Sequence, residues 1–330
     1  MSAATVHPVT RRTTTTTGGG RGLAWAAWRY HRSAVLTVLA VLAVLGAVLL
    51  VNGLVTHAAF ERAGLAGCPA SSPECTPGWK SFLREYENWP RLANMLLLFF
   101  PGALGAFVGG PVVAREFEAG TFRFAWTQGA GRGRWTAAGL AVTGTAVAVM
   151  AALFGLLLSW WNRPLASFTG VLHPDLFVQG PPAMAGQALL GFGVGALAGA
   201  VLRRTVAAVG TGLAVSITAT FVAQALRAHY RTPLVDTLHT VAIGPESRRW
   251  VLTSWAADPA GHRISDGAFS GLAPKAADMD RLLQQGYTMH LTYHPESRYW
   301  PFQFIELGWM AAVGVAACAA ALWWVRRKAG

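Results

Sequence analysis

The chain has 330 residues, 53% hydrophobic and only 13% charged, which excludes an ordinary soluble protein of two domains. A formal net charge of +12 would suggest nucleic acid if it formed one patch on a soluble surface. Here the basic residues instead flank long apolar runs, so nucleic acid is not an expected partner and a bilayer is.

Residues 1–22 hold the runs Thr13–Thr17 and Gly18–Gly20 and predict a disordered tail. A cleaved signal peptide is not expected, because the tail is long and many spans follow. Leu23 to Arg32, with Trp25, Trp28, Tyr30, Arg29 and Arg32, suits either a helix lying in the membrane interface or a continuation of the first span with an aromatic belt. Six apolar runs follow, at Ala34–Val55, Ala93–Val113, Thr136–Trp160, Ala183–Leu202, Thr205–Leu226 and Phe302–Val325. Each has about the 20 residues that a membrane-spanning helix needs. The fold class expected is therefore an all-α integral membrane protein with six transmembrane helices, forming one domain over residues 23–330.

Arg11, Arg12, Arg21, Arg29 and Arg32 precede the first run, and Arg115, Arg123, Arg132 and Arg134 separate the second from the third. Arg203 and Arg204 separate the fourth from the fifth, and Arg326, Arg327 and Lys328 close the chain. If the spans alternate in direction, these clusters share one side. The positive-inside rule makes that side, with both termini, the cytoplasmic face of a cell membrane.

In the first loop on the other side, Cys68 and Cys75 lie among Pro69, Pro73 and Pro77 and can close a small disulfide ring; free thiols are the alternative. Without nearby histidines the two are a weak zinc site, and no metal is expected. The spacings Gly105-xxx-Gly109, Gly191-xxx-Gly195 and Gly195-xxx-Gly199 suit close helix packing, within one subunit before a seam between subunits.

The stretch 114–135 between the second and third spans combines charge with aromatic residues. Gly120 breaks the preceding helix and Thr121 can cap a short new one, on which Phe122 and Trp126 share a face. Such a helix is a docking element for a soluble partner. The segment 227–301 is the longest loop; Val235–His239 and Asp278–Gln285 are predicted as short helices within it. His229, His239, His262, His290 and His294 lack ligand spacing and read as scattered surface histidines. Inside the sixth span, Glu306 could face a substrate path or snorkel to the aqueous end. Cys318 reads as a packing residue.

The run Arg115-Glu116-Phe117-Glu118-Ala119-Gly120-Thr121, then an aromatic short helix and the basic Arg132-Gly133-Arg134-Trp135, resembles the ABC-2 type permeases, membrane subunits of ATP-binding-cassette exporters. The layout of an N-terminal interfacial helix, six spans and a large extracytoplasmic loop between helices 5 and 6 is similar across nearly the whole chain. The stretch Tyr293–Glu306, and arginine used almost without lysine (Lys80, Lys275 and Lys328 only), resemble permeases of high-GC bacteria. The resemblance implies that the loop after span two couples to an ATP-binding-cassette ATPase subunit. Glu116 and Glu118 would take the acidic positions, Gly120 and Thr121 the turn, and Phe122 to Gln128 the docking helix, flanked by Arg115 and including Arg123 and Trp126. It also implies a second permease copy, identical or not, and a hydrophobic or amphiphilic substrate. No Gly-xxxx-Gly-Lys-Ser/Thr loop is present, so the chain is expected to bind no cofactor and not to be an enzyme, with ATP and Mg2+ on the partner.

Three other classes compete. A sensor or assembly protein with a ligand-binding outer loop would need no ATPase. An intramembrane enzyme would need reactive groups at one depth, whereas Ser159, Ser216 and Glu306 are scattered. An ion-driven transporter would carry more intramembrane charge.

Overall fold

From Ser33 to Thr56 the chain has no charged residue, and this stretch lies inside a single helix, α1 (Gly19–Arg62). The computed structural model describes residues 19–68, 75–86, 88–118, 131–238, 249–264 and 281–328. After a 3-10 turn at Leu65–Gly67 come α2 (Thr76–Tyr86), α3 (Asn88–Leu97), α4 (Phe100–Glu118) and α5 (Arg132–Trp161). Next are two short helices, α6 (Arg163–Thr169) and α7 (Pro174–Phe177), then α8 (Pro181–Leu202) and α9 (Thr205–Arg227). Strands β1 (Leu234–Leu238), β2 (Arg249–Ala257), β3 (Arg263–Ile264) and β4 (Thr288–Pro295) lead into α10 (Tyr299–Lys328). Among the described residues, six helical segments are long and apolar enough to cross a membrane: Gly22–Arg62, Leu92–Glu118, Gly133–Trp161, Pro181–Leu202, Thr205–Arg227 and Glu296–Arg327. The chain is a multi-pass membrane protein.

α8 is the axis of the bundle. In its most apolar window 72% of the residues are buried, against 17% for α1, so α1 shows most of its surface to lipid or to a partner. Small residues let other backbones close on α8 from two sides. A Cβ on Gly105 or Gly109 of α4 would run into the carbonyl of Ala188 or Phe192, and one on Gly193 into the carbonyl of Gly314 in α10. The predicted Gly-xxx-Gly spacings thus serve packing within the subunit. Around this axis Phe154, Leu158, Met184, Ala188 and Phe192 anchor the main apolar cluster, with Cys318 packed at its margin.

At one end of the bundle gather the start of α1, the end of α4, the start of α5, the α8–α9 link and the end of α10; this is the basic end. The opposite end carries the sheet. There Cys68 and Cys75 form a disulfide, Cα atoms 5.7 Å apart, over a small cluster of Leu65, Trp79 and Phe82.

Several expectations are corrected. Leu23–Arg32 is the first part of α1 and not a separate interfacial helix. At about 1.5 Å per residue α1 reaches roughly 66 Å, well beyond a hydrocarbon core, so its aromatic N-terminal turns extend past the apolar layer. Of the predicted tail, residues 1–18 lie outside the described residues and residues 19–22 already belong to α1. Val235–Leu238 is strand and not helix, because β-branched Val235 and Thr237 pair along β4, Val235 opposite Thr292 and Thr237 opposite His290. In the second predicted helix, residues 281–284 are helical, while Asp278 lies outside the described residues, as does His239 of the first.

The antiparallel sheet has the order β1-β4-β2-β3, with a bulge between Val251 and Thr253. In the β2–β3 turn the Asp258 carboxylate accepts from the amides of His262 (2.8 Å) and Ala260 (2.9 Å), which holds its pKa below the ordinary aspartate value.

Among the described histidines, His294 is no surface residue, being fully buried between the sheet and α10. Its Nε2–H donates to the Ala228 carbonyl (3.0 Å), and its Nδ1 accepts from Arg298 (2.6 Å). Burial, with the Arg298 charge beside it, lowers its pKa despite the Ala228 bond. The folded form thus keeps His294 neutral, and its stabilising effect is complete above pH about 6.5 and lost as the pH falls toward the lowered folded value. We expect the thermal midpoint to fall between pH 7.5 and 5.5 and this slope to shrink in His294→Gln; equal slopes would remove His294 as its source.

Candidate functional site

Three groups of polar residues stand out against the apolar bundle. The first is at the basic end, where the last turn of α4 brings Arg115, Glu116, Phe117 and Glu118 against three other elements. Glu116 is 7% exposed and its Oε1 accepts from Trp135 Nε1 of α5 at 3.0 Å. Glu118 takes the N-terminus of α9: its carboxylate accepts from the Thr205 amide (2.7 Å) and from Thr205 Oγ1 (2.7 Å). A carboxylate there satisfies an amide that the helix leaves open and meets the positive end of its dipole. Between α8 and α9, Arg203 adopts the left-handed conformation (φ 55°), and its guanidinium lies 5.2 Å from the Phe117 ring centre. This sharp two-residue link is what lets α8 and α9 run back to back.

In the structure each of these acids holds a group of its own chain, at the point where α4 ends. Trp135 and Thr205 were missed as the partners because they lie 19 and 87 residues away. Gly120, Thr121, Phe122, Arg123 and Trp126 lie outside the described residues. A crevice of about 240 Å³ opens beside this base, between α1 and α4.

The second group is at the sheet end. Glu306 of α10, for which the sequence offers a substrate path or a snorkelling position, pairs with Arg227 at the end of α9, Nε to Oε1 at 2.8 Å, and both side chains are essentially inaccessible. The Arg227 guanidinium also lies 4.0 Å from the Phe177 ring centre. One turn before Glu306, Gln303 bridges two elements: its Oε1 accepts from the Ala183 amide (3.0 Å) and its Nε2 donates to the Phe177 carbonyl (2.6 Å). Trp309 Nε1 donates to the Tyr230 hydroxyl (3.3 Å), whose pKa burial and the nearby Glu306 push up to about 12. The sequence places Arg227 at the start of the longest loop, 227–301. The signal that could have found it is its place as the last residue of span five, at the depth where span six carries its acid.

The third group joins Asn94, Asn162 and Gln179. Asn94 Nδ2 donates to Asn162 Oδ1 (3.1 Å), Asn162 Nδ2 to Gln179 Oε1 (2.9 Å), and Gln179 Nε2 to Asn94 Oδ1 (2.9 Å). This closed ring ties α3 to the end of α5 and the turn before α8. Each amide alone looked unremarkable in the sequence, and only folding brings them together.

Among the described residues no group of three or more His, Cys, Asp or Glu side chains could hold a metal ion. Ser159 donates to the Gly155 carbonyl of its own helix, and Ser216 lies against Gly102. A family model described as ABC-2 membrane transporter related matches residues 39–227, more than half of the chain. No curated protein and no solved structure matched.

Proposed function

Because the chain belongs to the ABC-2 membrane transporter related family, we propose that this membrane permease is the transport subunit of an ATP-binding-cassette exporter for a hydrophobic or amphiphilic substrate such as a drug, an antibiotic or a lipid. A separate ATPase subunit would hold ATP and its Mg2+ and dock on Phe122–Gln128, with Arg115, Gly120, Thr121, Arg123 and Trp126 completing the contact. A second permease subunit would complete the pathway, and the basic end, with both termini, would face the cytoplasm.

The observation that carries this reading is the anchored base of the loop. Glu118 bonds to Thr205 at the start of α9, and Glu116 to Trp135 at the start of α5. A push delivered to the loop would therefore reach two spans at once and not dissipate in a free hinge, as rigid-body switching between inward- and outward-facing packings requires. The acids then transmit force, while the aromatic residues beyond them make the contact.

The test separates these roles. Phe122→Ala with Trp126→Ala is expected to lose a co-purifying ATPase at least about tenfold, as removing aromatic anchors from a docking surface does. Glu118→Gln is expected to retain the ATPase but to weaken the coupling of its hydrolysis to transport. A folded, inserted protein that never carries an ATPase would favour a sensor whose ligand meets the sheet.

A further inference from the structure

The crevice between α1 and α4 changes character along its length. Phe107 and Val108 of α4 line it on the bilayer side; His31, Ser33 and Ala34 of α1 line it with Arg115 and Glu116 at the basic end. Phe107 and Arg115 are separated by about 12 Å along α4, at 1.5 Å per residue, so the gradient from apolar to charged runs with the bilayer normal. Phe107 is 60% exposed, which leaves the apolar end open to the hydrocarbon layer. At about 240 Å³ the crevice takes a headgroup and its glycerol, with chains leaving past Phe107.

The charges decide which headgroup. Arg115 supplies a cation, and the adjacent Glu116 supplies a carboxyl group whose position is set by the Trp135 bond, with the buried His31 ring on the facing wall. One carboxylate makes one bond to the indole and retains further acceptor capacity. Tyr30 packs edge-on to Trp135 with ring centres 5.8 Å apart, and so walls the crevice on that side. The other nearby acid, Glu118, is held by Thr205. A purely anionic head would meet Glu116 unfavourably, and a quaternary ammonium could not donate a hydrogen bond to it.

We propose that this crevice is a binding site for a zwitterionic aminophospholipid of the phosphatidylethanolamine type, its phosphate on Arg115 and Ser33 and its ammonium on Glu116. The site is independent of what the permease exports. It places a lipid against the same carboxylate that anchors the loop, so the lipid content of the membrane would bear on the rigidity of that anchor.

The experiment is native mass spectrometry of the full-length protein, released from nanodiscs made with equal parts of phosphatidylethanolamine, phosphatidylglycerol and phosphatidylcholine. The wild type is expected to retain phosphatidylethanolamine about tenfold over the other two, the discrimination that one charge-assisted hydrogen bond provides. Glu116→Gln, which can still accept from Trp135, is expected to bring the three lipids to parity. Ala34→Trp, which fills the crevice from α1, is expected to abolish retention; a thermal midpoint within a few degrees of wild type would show that the bundle is intact. Equal retention by the wild type, or a preference that survives both substitutions, would overturn the site. Displacement by soluble glycerophosphoethanolamine would assign it to a soluble ligand and overturn the lipid.

Discussion

Glu306→Ala is expected to destabilise the bundle by about 3–5 kcal/mol, the range for breaking a buried ion pair from one side. The carboxylate it removes is the ion partner of Arg227, whose side chain is 1% exposed. A guanidinium cannot shed its proton, so Arg227 would remain charged and buried against the Phe177 face without its ion partner. Arg227→Met should cost less, because a carboxylic acid left alone can take up a proton. The double replacement Arg227→Met with Glu306→Leu should recover most of the loss, since a pair exchanged for apolar side chains of similar size is often neutral. Thermal unfolding in mild detergent, followed by retention of the monodisperse peak, measures all three. If Glu306→Ala melted with the wild type, the pair would contribute nothing and α9 and α10 would be joined by apolar packing alone. The physical reason to expect otherwise is position: the pair is the polar cross-link between the last turn of α9 and the second turn of α10.

The second large effect is expected at the seam between α4 and α8. In Gly109→Leu the new side chain would start inside the space of the Phe192 backbone, and a backbone carbonyl in the middle of a helix cannot move aside as a side chain can. Overpacking typically costs about 1–3 kcal/mol, and this site should lie at the top of that range or above it, with aggregation on extraction as the readout. Gly210→Leu is the control, because nothing lies within 4 Å of a Cβ there and α9 faces outward at that point. A wild-type melt for Gly109→Leu would mean that α4 can slide on α8. The lever described for Glu118 would then lose its rigid arm.

Both predictions concern contacts between residues far apart in the chain, which is where reading the sequence reached its limit. The spans were legible because a hydrocarbon layer demands a long uncharged run, and that demand is local. Close packing by Gly105, Gly109, Gly191 and Gly195 was legible from spacing. Which neighbour each glycine meets was not. The predicted helix Val235–His239 misled because five residues carry too little period to separate helix from strand until β4 offers its hydrogen bonds. The acids at the end of α4 are legible as charges beside a membrane, yet their partners Trp135 and Thr205 come from helices that only the packed bundle brings together.

By itself the sequence determined that the chain lives in a bilayer, how many times it can cross, and that a glycine-broken, aromatic segment sits among its arginines. Those are consequences of the solvent, which acts on every residue separately. Only the tertiary structure decided that Arg227 answers Glu306, that Glu116 and Glu118 tie the end of α4 to α5 and α9, that three amides close a ring, and that four strands form the far end. These depend on which surfaces meet, and a buried charge or amide is tolerable only where a distant partner arrives to satisfy it.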